Sequence, residues 1–182
     1  MMMKKKMIKF LLVILIVVFY GPISIYADKA LMIRECHNAR VPTICMQCLE
    51  SDPASIHADP VGIAGIVIHC LNSNLNVLTK QCSNITKLLL EREKGGDAIR
   101  TALQGCKKQL SEAMTKALPD AKKGLKTGDY DKAGKSIKHA LSFPLMCVNN
   151  LQSAEFHFPP VYSQINTYAQ LSDAAMRIID RF

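Results

Sequence analysis

The sequence predicts an all-α protein: an up-down-up-down four-helix bundle with an N-terminal helical hairpin extension, held together by disulfides. Apolar residues recur at spacings of three and four along four long stretches, which is the pattern of helices that each bury one face. Short connections join these stretches, so consecutive helices are expected to run antiparallel. No stretch of the mature sequence alternates apolar and polar residues as a half-buried strand would.

Residues 1–27 have the composition of a secretory signal peptide. Four lysines within the first nine residues precede an eleven-residue apolar run, Phe10–Tyr20, and the small residue Ala27 suits a cleavage site. A transmembrane helix needs roughly 20 apolar residues, so this run is short for an uncleaved anchor, which is the alternative. The sequence therefore predicts a secreted protein whose mature chain, residues 28–182, forms one domain.

The first part of the mature chain, residues 28–58, is predicted to form the helical hairpin. Two short helical segments flank Val41-Pro42-Thr43, where the proline favours a turn. Thr43 is of a residue type that caps helices, and we expect it to cap the second segment. The four-helix bundle is then predicted to fill residues 59–182.

The first two bundle helices are separated by a pair of glycines. The first helix should cover residues 60–92, and the second should begin at Asp97, whose side chain can cap it. Pro119 lies within the second apolar stripe. Because proline lacks an N–H and collides with the carbonyl four residues back, we expect a kink near Leu118.

The third bundle helix should start after Thr127-Gly128-Asp129. We expect Phe143-Pro144 to break it, with a short segment continuing to Leu151. The last helix should follow the apolar stripe from Val161 to Phe182.

The charge of the mature chain is modestly positive. Residues 28–182 carry 19 Lys/Arg and 15 Asp/Glu, because four of the 23 basic residues lie in the signal peptide. In the sequence this excess looks scattered, and aromatic residues do not alternate with the basic ones. Nucleic acid is therefore not an expected partner, and neither is a membrane after signal cleavage.

All seven cysteines lie in the mature chain. An exported protein meets an oxidising compartment, so disulfides are expected. An odd number leaves one thiol over, through which a disulfide-linked dimer could form. Cys45 and Cys48 form a C-x-x-C motif, but the surroundings of a redox or zinc site are missing, so no metal and no cofactor is expected.

Several spacings and short motifs match a known family. In chain order they are Cys36-x8-Cys45, Leu49-Glu50-Ser51-Asp52-Pro53, Cys106, Leu125-Lys126-Thr127-Gly128-Asp129-Tyr130, Ala140-Leu141 and Cys147. Together they resemble the plant pectin methylesterase inhibitor and invertase inhibitor family over nearly the whole mature chain. The resemblance implies the helical bundle with its hairpin.

The resemblance also implies two disulfides, Cys36–Cys45 and Cys106–Cys147. The remaining cysteines are expected to pack as small apolar residues; they are Cys48, Cys70 and Cys82. A third bond, from Cys48 to one of the other two, stays open. Family members are inhibitors rather than enzymes. The implied function is a secreted protein of the plant cell wall, or apoplast, that binds and blocks a pectin methylesterase in a 1:1 complex.

The local motifs favour pectin methylesterase as the target. Invertase-directed members resemble one another in a Pro-Lys-Phe where this chain has Tyr130-Asp131-Lys132. Methylesterase inhibitors commonly carry Thr where this chain has Met146. This departure at Met146 leaves an inhibitor of invertase (beta-fructofuranosidase) as the alternative within the family. Outside the family, the alternative is a secreted helical lipid-binding protein. The residues expected to contact the partner are Lys122, Lys126, Asp129, Tyr130, Asp131 and Met146.

Asn84-Ile85-Thr86 is an N-glycosylation acceptor in a chain predicted to be exported. Ile85 belongs to the apolar stripe of the first bundle helix, which leaves Asn84 pointing outward. The sequence therefore predicts glycosylation at Asn84.

Overall fold

The computed structural model describes residues 29–91 and 96–182, and the predicted signal peptide lies outside these ranges. The described residues form seven α-helices and no β-strand. One 3₁₀ turn, Pro53–His57, follows the second helix, and one π-helical turn, Ala113–Ala117, follows the fourth. The helices are α1 (29–37), α2 (Pro42–Glu50), α3 (Pro60–Glu91), α4 (Asp97–Glu112), α5 (Leu118–Thr127), α6 (Tyr130–Ser153) and α7 (Pro159–Ile179).

The hairpin consists of α1 and α2, and a disulfide between Cys36 and Cys45 joins the two helices. The expectation that Thr43 caps α2 is wrong, because the cap position is Val41 and the helix starts at Pro42. Proline suits the first helical position, since its fixed φ is already helical and its missing N–H would be unpaired there in any case.

Polar contacts fasten the hairpin to the end of α7. The Arg181 guanidinium pairs with the Glu35 carboxylate and also donates to the Glu35 carbonyl oxygen at 3.0 Å. Glu35 is only 4% exposed. A buried carboxylate needs such a partner, because an unpaired charge away from water is costly. The backbone N–H of Arg40 donates to Asp173 Oδ2 at 2.8 Å and adds a second attachment.

The first bundle helix, α3, begins one residue after Asp59, whose carboxylate accepts the Gly62 N–H at 2.7 Å. By length and composition it could cross a membrane. In the fold, however, it packs against α2, α4 and α7. Its apolar stripe is buried as predicted, except near its end, where Leu88 is 52% exposed.

The second long stretch is helical throughout but not uniform. In place of a simple kink, the π-helical turn Ala113–Ala117 separates α4 from α5 just before Pro119. In an α-helix the ring of Pro119 would collide with the carbonyl of Thr115. The wider π-helical turn moves this carbonyl away from the ring. Asp97 is not the cap of α4, because Gly96 takes that position. Its carboxylate lies 3.6 Å from the Arg100 guanidinium.

The third bundle helix, α6, continues through Pro144, so the predicted break at Phe143-Pro144 is wrong. Pro144 is buried in the helix and removes one backbone hydrogen bond. Packing against α4, α5 and α7 holds the chain on both sides of it. A disulfide from Cys147 to Cys106 ties the same part of α6 to α4.

The four long segments pack in the order expected of an up-down-up-down bundle. α3 contacts α4 and α7, and α6 contacts α4, α5 and α7. The side chains that fill the space between them are almost all aliphatic, together with the fully buried ring of Tyr168. The fold class predicted from the sequence is therefore confirmed.

Candidate partner-binding surface

The connection between α5 and α6 is a tight turn built by glycine. Gly128 has φ 73°, in the left-handed region that side chains disfavour. Its N–H donates to the Leu125 carbonyl at 3.3 Å, and the Asp129 N–H donates to the Gly124 carbonyl at 2.9 Å. These bonds satisfy carbonyls that the end of α5 would otherwise leave unpaired. The turn holds the ends of the two helices close together.

Gly124 lets α6 approach α5 directly. A Cβ at this position would lie 2.8 Å from the Ala133 nitrogen and 2.8 Å from the Asp129 carbonyl oxygen. The Asp129 carboxylate in turn accepts the Lys132 N–H at 3.1 Å and caps α6. Asp129, expected as a partner contact, thus has a structural role in starting α6.

The turn brings five of the six expected contact residues to one end of the bundle. Lys122, Lys126 and Asp131 are exposed there. The Asp131 carboxylate lies 3.8 Å from the Lys135 ammonium, and both side chains are almost fully in water. A pair of this kind contributes little stability, so these charges are available to a partner.

Tyr130 is half-buried and serves the core as well as the surface. Its ring lies against the bundle and has its centroid 4.9 Å from that of Phe182. One edge of the ring is therefore fixed by packing. The part that remains accessible lies beside Asp131, Lys138 and Asp180 in a shallow groove between α6 and α7.

Met146 does not join this group. It lies 16 residues after Tyr130 on α6, which is about 24 Å along the helix. Met146 is 39% exposed and its neighbour Leu145 is 46% exposed. The structure therefore separates the expected contacts into a charged end of the bundle and a distant pair of exposed apolar side chains.

The sequence analysis missed several residues that share the charged end. A shallow depression on α6 is lined by Lys132, Lys135, Ser136 and His139, together with the two aspartates of the turn. The His139 ring contacts Phe143, with 4.9 Å between centroids. The spacing of three between lysines on α6 was the available signal, since it places consecutive lysines on adjoining parts of the same outer face.

The cysteines differ from expectation at two positions. Cys36–Cys45 and Cys106–Cys147 are bonded. Cys48 and Cys70, expected to be free packing residues, form a third disulfide between α2 and α3. The α-helical turns place these two side chains on facing sides of the hairpin and the bundle, which the linear spacing of 22 residues does not reveal.

Cys82 is the remaining free thiol, and it is fully buried. Burial raises the pKa of Cys82 to about 11, because the thiolate would lose its hydration. A thiol in this position is protonated and out of reach of another chain. The predicted disulfide-linked dimer therefore does not fit the folded structure.

The described residues contain no group of three or more His, Cys, Asp or Glu side chains arranged to hold a metal ion. A surface groove of about 450 Å³ lies between α2, α3 and α7 beside the Cys48–Cys70 bond. Its walls include Asn74, Thr167 and Leu171. The chemistry available at the charged end of the bundle is binding by charge and hydrogen bonding.

A disulfide-held helical bundle with an attached hairpin and an exposed charged end defines a class of small helical binding proteins. The comparisons place the chain within that class. A family model described as "Plant invertase/pectin methylesterase inhibitor" matches residues 31–178. The chain belongs to this family, and the resemblance inferred from its motifs is confirmed.

One named relative is distant in sequence. The pectinesterase inhibitor of Actinidia deliciosa is 25% identical over 126 residues, a match that covers 67% of this chain and 65% of the relative. Two solved structures have a similar fold. A mutant form of a pectin methylesterase inhibitor from Arabidopsis has a TM-score of 0.64 at 17% identity, covering 80% of this chain and 92% of that one. A pectin methylesterase inhibitor from Arabidopsis thaliana has a TM-score of 0.58 at 19% identity, covering 82% and 93%.

Proposed function

We propose that this protein is a secreted, non-catalytic inhibitor that binds a plant cell-wall pectin methylesterase and blocks it in a stoichiometric, non-covalent complex. The observation that carries the proposal is the family match over residues 31–178, supported by the relative named as a pectinesterase inhibitor. The signal peptide predicted at residues 1–27 is consistent with delivery to the wall.

The charged end of the bundle is the proposed contact surface. Lys122, Lys126 and Asp131 are exposed on α5 and α6, and the tight turn at Gly128 fixes the two helices relative to each other. The disulfide between Cys106 and Cys147 ties α6 to α4 and so limits the motion of α6. A surface that is already ordered loses little conformational entropy on docking, which raises its affinity for a partner.

Inhibition of an acid invertase is the second candidate. It is favoured by Met146, which is 39% exposed at the position where methylesterase inhibitors commonly carry threonine. An exposed thioether beside Leu145 offers an apolar contact in place of a hydroxyl. The two candidates differ in the partner, and the same protein can be tested against both.

Inhibition titrations distinguish the candidates. The oxidised mature protein is added to a plant pectin methylesterase and, separately, to an acid invertase at the acidic pH of the wall. We expect esterase activity to fall linearly to a break at one inhibitor per enzyme, with invertase unaffected. Loss of invertase activity alone would replace the first candidate with the second. If both enzymes kept full activity, the proposed function would be wrong.

A charge reversal tests the contact surface. Lys126→Glu should weaken inhibition by about tenfold, equivalent to 1.4 kcal/mol, because the new glutamate would repel the partner surface that the lysine attracts. Lys80→Glu makes the same change on the exposed side of α3 and is the matched control. Equal inhibition constants for the two variants would contradict the placement of the contact at the α5–α6 end.

A further inference from the structure

The positive charge of the mature chain is concentrated in one place. Residues 122–138 carry six lysines and two aspartates. Residues 28–182 carry 19 basic and 15 acidic residues in total, so the rest of the mature chain has 13 of each and is neutral. The charge that looks scattered in the sequence thus belongs entirely to one helix-turn-helix segment.

The fold gathers these lysines at a single end of the bundle. α5 and α6 run antiparallel from the turn at Gly128, so the last part of one helix lies beside the first part of the other. Lys122 is six residues before Gly128 and Lys138 is eight after Tyr130, which places all six within about 12 Å of the turn along the helix axes. We call this surface the lysine end; its members are Lys122, Lys123, Lys126, Lys132, Lys135 and Lys138.

The charges of the lysine end are little compensated. All six lysines are exposed. Among the described residues only Lys135 of the six takes part in an ion pair, with Asp131. Like charges held close together repel one another, and this repulsion is relieved when an anionic partner supplies opposite charges.

The composition of the lysine end indicates the chemistry of its ligand. The two rings at this end, Tyr130 and His139, are already in contact with Phe182 and Phe143, with 4.9 Å between centroids in each pair, so neither is an unpartnered ring on which a base could stack. All six cations are lysines, which act as mobile point charges, whereas arginine grips a phosphate or carboxylate in one fixed geometry. A flexible chain of spaced, singly charged carboxylates fits this surface best.

We propose that the lysine end binds an acidic polysaccharide that carries carboxylates along its length. The choice of a uronic acid polymer rests on the proposed function, because hydrolysis of a methyl ester converts an uncharged sugar residue into a carboxylate and methanol. The surface then distinguishes product from substrate by charge. Because Lys122 and Lys126 are also proposed contacts of the esterase, the polymer and the enzyme compete for the lysine end.

Direct binding to two polymers tests the proposal without any enzyme. The mature protein is titrated with polygalacturonate and with a fully methyl-esterified pectin of the same length. We expect binding to the first alone, with an affinity that falls steeply as salt is raised, since bound lysines release counterions from the polymer. Equal affinity for both polymers would overturn the proposal.

Matched triple variants locate the site. Lys132→Gln/Lys135→Gln/Lys138→Gln removes three charges from the lysine end and should weaken binding by about tenfold at low salt while reducing the salt slope by roughly half. Its control, Lys29→Gln/Arg40→Gln/Lys80→Gln, removes three exposed charges elsewhere. If the control lost as much affinity, net charge and not the lysine end would be responsible. Circular dichroism checks that both variants are folded.

A third ligand separates carboxylate polymers from polyanions in general. Single-stranded DNA of matched charge should bind more weakly than polygalacturonate, and tighter binding of DNA would overturn the assignment to a polysaccharide. Inhibition of the esterase is measured in a separate assay with a small soluble substrate. The proposed function can therefore fail while polysaccharide binding holds, or the reverse, and the two results are distinguishable.

Discussion

Cys82 shows how burial alone can set the chemistry of one side chain. It lies in the C-terminal third of α3, fully buried, and all six other cysteines are in disulfides. Its thiol is kept protonated by the cost of burying a thiolate, with Lys107 opposing this only in part. Cys82 is therefore a packing residue whose reactivity appears only when the core opens.

The pH dependence of stability follows from this shift. The thiol has a pKa of about 11 in the folded protein against 9.0 in an open environment. Between these values the unfolded chain has lost the proton that the folded chain still holds, so the free energy of unfolding falls as the pH rises, by about 3 kcal/mol in all. Denaturant titrations from pH 8 to 11 on the wild type and on Cys82→Ala measure the effect.

The difference between the two proteins isolates Cys82 from other groups that titrate in the same range. We expect the wild type to lose its advantage over Cys82→Ala as the pH rises. Parallel stability curves would show that the thiol is not held protonated by the core.

At the scale of elements, the connection between α5 and α6 requires particular residue types at three positions. Gly124 allows contact between the two helix backbones, Gly128 reverses the chain, and Asp129 starts the next helix. Each of the three residues has a separate geometric task. Within the segment from Leu125 to Tyr130, which pointed to the family in the sequence, Gly128 and Asp129 are therefore explained by local structure alone.

A pair of glycine substitutions tests this account. Gly124→Ala should lower the free energy of unfolding by about 1–3 kcal/mol, because the new methyl group would press on the backbone of α6. Gly134→Ala is the control: it lies in α6 with no heavy atom within 4 Å of the added methyl, and should raise stability by about 0.5–1 kcal/mol. Denaturant titration measures both, and equal changes in the two variants would argue against the close approach at Gly124.

At the scale of the whole molecule, two of the three disulfides each lie within one part of the fold, and the third joins the two parts. Cys36–Cys45 acts within the hairpin and Cys106–Cys147 within the bundle. Only Cys48–Cys70 joins the hairpin to the bundle. It supplements the ion pair between the buried Glu35 and Arg181, and it fixes the position of α2 on α3 and α7.

Removal of the third disulfide should loosen the hairpin selectively. Cys48→Ala/Cys70→Ala opens a loop of 22 residues and should reduce the free energy of unfolding by about 3 kcal/mol. Hydrogen exchange should accelerate in α1 and α2 while α4 and α6 keep their protection. Cys82→Ala, which removes a cysteine without breaking a bond, is the control. Uniform acceleration across all helices would show that the bond stabilises the molecule as a whole.

The features that could be predicted from the sequence are those determined by residues close together in the chain. The helices and their buried faces follow from local periodicity, as in α3, and the turn at Gly128 follows from glycine itself. The prediction of a helix break at Pro144 was wrong because tertiary packing on both sides outweighs the loss of one hydrogen bond. The Cys48–Cys70 bond depends on which helices become neighbours, and no local pattern contains that information. The lysines of the lysine end are visible in the sequence as one lysine-rich segment, but their gathering on one surface depends on the packing of α5 beside α6.

The π-helical turn at Ala113–Ala117 has a consequence for comparing this chain with its relatives. Such a turn accommodates one residue more than an α-helical turn. In a relative that lacks the extra residue, an alignment that starts from Cys106 would offset every position between the π-helical turn and Gly128 by one, which is a rotation of about 100° around the helix. Residues of α5 are therefore equivalent only when alignments are anchored at the glycine of the turn and not at the cysteine. Gap placement inside this helix decides which lysines are compared.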